Sequence, residues 1–160
     1  MKFIKSLTGI VIGVFFIAQY ASAQPTRDRI LDDVHIGEKN GCYTIKIAFT
    51  FPVRYVRHFP FKKGDELQIQ IEPITMGPLE QQAIFDRESI KPPHHKNVPL
   101  DEVTYEGDVE GGPYLDLYFN EEVNYEVGQG SDFRSILVAI QGQQPSNATE
   151  ACPHLPKKKH

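Results

Sequence analysis

Apolar and polar side chains alternate along most of this chain, and the period is two residues, not 3.6. Ile45, Ile47 and Phe49 alternate with Thr44, Lys46 and Ala48, the pattern of a strand with one buried face. Beyond Phe51-Pro52, Val53 and Tyr55 alternate with Arg54, and the strand runs on towards Phe59-Pro60. Lys62-Lys63-Gly64-Asp65 reads as a turn. Leu67, Ile69 and Ile71 then alternate with Gln68, Gln70 and Glu72 until Pro73, where a missing N–H ends the pairing. Residues 75–99 read as a connection between two blocks, with a short strand near Gln82–Phe85. Pro92-Pro93 excludes a helix through His94-His95.

The second block repeats the first. Val103 and Tyr105 belong to one strand, and 107–113 is an acidic glycine loop. Leu115, Leu117 and Phe119, then Val123, Tyr125 and Val127, then Ile136, Val138 and Ile140 mark three more strands. Ile45, Ile47, Phe49, Val53 and Tyr55 match Leu115, Leu117, Phe119, Val123 and Tyr125 at an offset of 70; Leu67, Ile69 and Ile71 match Ile136, Val138 and Ile140 at 69. One three-stranded unit cannot bury its own apolar face, so two should pack face to face. The predicted fold is all-β: a β-sandwich of two similar three-stranded units plus extra strands. Ile47 and Leu117 should face its core, with Lys46 and Asp116 as their solvent-side neighbours.

The N-terminus adds a compartment. Lys2 and Lys5 precede an apolar run from Leu7 to Ala18, and Ala21-Ser22-Ala23 supplies small residues at −3 and −1 ahead of Gln24. This is the order of a secretory signal peptide, and the run is shorter than the ~20 apolar residues that span a bilayer. The expected organisation is a signal peptide at 1–23, a lead-in at 24–33, the sandwich at 34–140 and a polar tail at 141–160. The mature chain is then periplasmic or secreted, with no transmembrane segment. Without Lys2 and Lys5 it carries 15 Lys and Arg against 21 Asp and Glu, a net charge of −6. That balance argues against nucleic acid as a partner.

Cys42 and Cys152 are the only cysteines, and in an oxidising compartment an even pair reads as a disulfide. No residue set reads as catalytic. Glu121-Glu122 falls at a strand bend aligned with Phe51-Pro52, and no Gly-x-Ser-x-Gly or phosphate loop occurs. No metal or cofactor is expected, since adjacent His94 and His95 on extended chain point to opposite faces. Tyr118 alternates out of register with Leu117 and Phe119, towards solvent. With Arg54, also outward, it forms a candidate ligand platform for a sugar or peptide.

The run from Ile45 through Pro52-Val53-Arg54-Tyr55, then His58-Phe59-Pro60 and Gly64-Asp65-Glu66-Leu67, resembles the AMIN-type β-domain of bacterial envelope proteins. Val103-Thr104-Tyr105-Glu106-Gly107-Asp108, Gly111-Gly112-Pro113-Tyr114 and Asp132-Phe133-Arg134 are similar to modules that precede tetratricopeptide repeats in proteobacterial surface proteins. The resemblance spans about Val34 to Ile140. It implies a β-sandwich that targets proteins to the cell wall through peptidoglycan, and it brings no catalytic residues with it. The expected function is therefore a non-enzymatic exported binding module that contacts the cell wall or an envelope protein. An interaction subunit acting by sheet-edge strand addition, or a small secreted enzyme or inhibitor, are the alternatives.

Overall fold

The computed structural model describes residues 29–141 apart from 40, 75, 76, 78–80 and 82; the expected leader at 1–23, and Cys152 with the rest of the tail, lie outside the described residues. Eight strands follow one another: β1 (Leu31–Lys39), β2 (Cys42–Phe49), β3 (Val53–Phe59), β4 (Lys63–Pro73), β5 (Arg87–Ile90), β6 (Leu100–Glu106), β7 (Tyr114–Gln129) and β8 (Ser135–Gln141). The protein is all-β. Its strands form one antiparallel sheet in the order β1-β2-β8-β7-β4-β3, with β6 also on β7 and β5 on β6.

The 16-residue β7 makes this sheet a two-lobed, sandwich-like body. Its first part, up to Tyr118, lies between β4 and β6, whereas Tyr125 to Gln129 pair with β8. Glu66 faces Tyr118 but Gly64 faces Val123, so β7 carries surplus residues at its middle. Such a bulge bends and twists a strand, and here it folds the sheet over. Lobe one is β1-β2-β8 with the end of β7. Lobe two is β3-β4, the start of β7, β6 and β5. The alternating apolar residues of both lobes meet in a single core, with Ile45, Ile47 and Val138 from one side and Leu67, Ile69 and Leu115 from the other. Ile47 and Leu117 are both fully buried.

The internal repeat is carried by the strand registers, and it interleaves. Ile45 and Ile47 of β2 face Val138 and Ile136 of β8; their equivalents Leu115 and Leu117 of β7 face Ile69 and Leu67 of β4. Tyr55 faces Ile71 just as Tyr125 faces Ile140. The first strand of each repeat therefore pairs with the third strand of the other. β1 and β6 extend the match: Val34 faces Ile47 and Val103 faces Leu117. The sheet also takes in Ile30 and Leu31, ahead of Val34, both buried.

β1 and β3 end the strand order, and side chains latch across both open seams. Gln129 Oε1 accepts the Tyr55 N–H at 2.7 Å, while its Nε2 donates to Val53 O at 3.2 Å and Ser135 O at 3.1 Å. At the other seam the Glu88 carboxylate accepts the N–H groups of Ile30 at 2.6 Å and Leu31 at 3.2 Å. The strand expected near Gln82–Phe85 is not formed there. Asp86 N–H donates to Ala83 O in a turn and the short strand comes at Arg87–Ile90. The cause is local: the Tyr105 hydroxyl donates to Ile84 O at 2.6 Å. Gly107 lies so close that a Cβ there would stand 1.9 Å from the same oxygen.

Candidate functional site

The outer face of lobe two holds the least conventional chemistry of the described residues. Four strands contribute outward side chains in register. Gln68, Asp116, Thr104 and Ser89 form one row across β4, β7, β6 and β5. Gln70, Tyr114, Glu106 and Arg87 form the row on one side, and Glu66, Tyr118 and Glu102 the row on the other. Asp116 thus sits near the middle of a grid, with Tyr114 and Tyr118 two residues away on the same strand face.

Asp116 was expected to be solvated; it points outward but is only 3% exposed. The side chain is short and its neighbours are long, so they close over it. One carboxylate oxygen, Oδ1, is buried without a hydrogen-bond partner among the described residues. Gln68 hydrogen-bonds the carboxylate. Thr104, also buried, spends its hydroxyl on Ser89 Oγ at 2.8 Å. Burial raises the Asp116 pKa from 3.8 to about 6, Glu106 and Glu66 add repulsion, and the Gln68 bond and Arg87 oppose the shift. The phenol of Tyr118 is raised too, first by burial and then by the Asp116 charge. A buried acid with one oxygen left unsatisfied is costly to keep. Half-buried Gln68, Tyr114 and Tyr118 stand beside it in the grid.

Tyr118 lies on this face as expected, but Arg54 is remote from it. Arg54 stands opposite Glu72 and pairs with it, whereas Tyr118 stands opposite Glu66. Six residues of β4 separate the two, about 20 Å of strand. The arginine within the grid is Arg87, and on β3 it is Arg57, not Arg54, that reaches it, its Nε donating to Gln70 Oε1 at 2.8 Å. Asp116, Tyr114 and Thr104 are the residues sequence reasoning passed over. The one signal was an aspartate inside Tyr114-Leu115-Asp116-Leu117-Tyr118, where solvent-side positions are otherwise aromatic.

The other polar clusters among the described residues pair internally. A groove of about 460 Å³ on lobe one is lined by Asp32, Lys46, Thr50, Asp132 and Arg134. Lys46 Nζ bonds Asp132 at 2.9 Å, and Arg134 Nη1 donates to Thr50 O at 2.6 Å. Lys46, the Arg134 N–H and Ser135 hold the Asp132 carboxyl down at about 2. Glu122, at the bend of β7, pairs with Lys63. The ring of His95 packs on Tyr43 at 5.1 Å. Among the described residues no group of three or more His, Cys, Asp and Glu is placed to hold a metal ion, and no helix is long and apolar enough to cross a membrane. Cys42 opens β2 and the described residues include no free cysteine; its expected partner, Cys152, lies outside them. Comparison with family models, with curated proteins and with solved structures finds no match to the chain.

Proposed function

We propose that this protein is an exported, non-enzymatic binding module, of the AMIN-type kind, that engages the cell wall or an envelope protein through the outer face of lobe two. The observation that carries the reading is Asp116, a buried carboxylate with an unpartnered oxygen between Tyr114 and Tyr118. A buried carboxylate oxygen without a partner costs stability, and acids perturbed by burial cluster at functional sites. Export rests on the leader, and with it comes a Cys42–Cys152 bond closing a loop of 111 residues. Peptidoglycan is the first ligand to try.

Co-sedimentation with purified sacculi tests the reading. The wild-type protein should pellet with sacculi; Tyr118→Ala and Asp116→Asn should stay in the supernatant. Arg54→Ala, about 20 Å along the strand from the grid, should pellet normally. Equal capture of all four proteins rejects the face. A second reading, strand addition at β3, is favoured by one feature: Val56 and Phe59 are 46% and 67% exposed on an end strand of the sheet. Capture lost in a Val56→Pro variant and kept in Asp116→Asn selects it.

A further inference from the structure

We infer that the Asp116 site takes a primary ammonium group on an alkyl stem, the ammonium reaching Asp116 Oδ1 and the stem lying between Tyr114 and Tyr118. The inference rests on the reading of this face as the binding face and adds the chemical class of ligand. Three observations point the same way. The first is the vacant acceptor: Oδ1 is buried and unpartnered, so the ligand must bring a donor. An N⁺–H donor to a carboxylate makes a bond about twice as strong as a neutral one.

The second is charge. Two carboxylates of the grid add negative potential at that acid, Glu106 from β6 and Glu66 from β4. Arg87 on β5 is the opposing cation, and its Nε is engaged by Glu106 Oε1 at 3.1 Å. An anionic ligand would meet repulsion here, and a neutral one would leave the field unused. The third is shape. Tyr114 and Tyr118 stand two residues to either side of the acid on the same strand face, and tyrosine rings so placed can attract a cation and cover its methylenes. An acid between two aromatic rings suits a slim alkylammonium better than a sugar ring, which needs one open flat platform.

The group occurs on diamino-acid side chains of cell-wall peptides and on lysines of proteins, and the shared chemistry is what the site reads. Cadaverine is the probe, with 1-pentanol as its uncharged counterpart. In ¹H–¹⁵N correlation spectra at pH 7.5, cadaverine should shift the amides of Gln68, Thr104 and Leu117 saturably, and 1-pentanol should not. Asp116→Asn should weaken cadaverine binding at least tenfold with the fold unchanged. Binding should also fade between pH 7.5 and pH 5 as Asp116 takes up its proton. Sacculi with acetylated amines, run beside untreated sacculi and a lysine-containing peptide, tell the two sources apart, and Asp116-dependent capture of either supports the inference. Absence of cadaverine shifts, or equal binding by Asp116→Asn, overturns it. If sacculus capture still depends on Tyr118 in that event, the binding face stands and only the ligand class falls.

Discussion

Replacing Asp116 by Asn should make the folded protein more stable at neutral pH, although it removes a hydrogen-bonding acid. The substitution keeps shape and removes charge. An ordinary aspartate titrates at 3.8 and this one at about 6. Each tenfold change in proton affinity is worth ~1.4 kcal/mol, so above pH 6 the fold carries the charge at a cost of about 3 kcal/mol. Folding raises the pKa of an acid here, so the protonated form is the one the fold prefers. Below pH 3.8 both states are protonated and the cost vanishes; it grows between 3.8 and 6 and is constant above. The asparagine amide needs an acceptor of its own and returns part of the gain. The expected outcome is a stabilisation of about 1–3 kcal/mol at pH 8 and little change at pH 4. Urea melts of both proteins at pH 4, 6 and 8, extrapolated linearly, measure it. A variant destabilised equally at pH 4 and pH 8 refutes the reasoning, for it would mean that the native carboxylate is ionised and well satisfied. Because the variant is the more stable protein, any binding it loses is not lost through unfolding.

Three further outcomes follow from the packing. Ile47→Ala and Leu117→Ala, each truncating a fully buried side chain, should cost about 2–5 kcal/mol in the same melts, while Lys46→Ala, which breaks a surface ion pair, should cost less than about 1 kcal/mol. Gln129→Ala removes three hydrogen bonds, two of them across the seam to β3; at ~0.5–1.5 kcal/mol each the loss is about 2–4 kcal/mol, with hydrogen exchange quickening first at the Tyr55 amide. The Cys42/Cys152 double Ala variant should lose about 2–5 kcal/mol, and non-reducing peptide mapping should recover both cysteines of the wild type in one linked fragment.

Alternation alone made β2, β4 and β8 legible, because each buries one face and presents the other to solvent; β7 read as two strands, where the structure runs one from Tyr114 to Gln129. The offset of 70 residues, and then 69, was legible too, since equivalent positions face equivalent depths of one core. β1 was not. A register shift between Leu31 and Asp33 interrupts the two-residue period, and Leu31, Val34 and Ile36 do not read as a strand. Pairing was equally hidden: apolar period two says which face is inward, not which strand lies alongside, so the exchange of strands between repeats had no signature. In the candidate site, Tyr118 could be placed on the outer face from parity. Its separation from Arg54 follows from the pairings of β4, and the burial of Asp116 from the reach of side chains on two other strands. Neither lies within one segment of sequence.

The interleaved registers also decide what the connection between β4 and β6 contributes. β2 has its partner β8 in the other repeat, and the start of β7 has its partner β4 in the first. Neither repeat owns a lobe, so neither has a subdomain to fall back on when the other melts. The eight strands should therefore unfold as one cooperative unit. Two peptides divided within that connection would carry all eight strands and could rebuild the sheet by finding each other in solution. What the tether supplies is effective concentration. A polypeptide of one repeat alone would reach the same architecture only as a strand-exchanged homodimer.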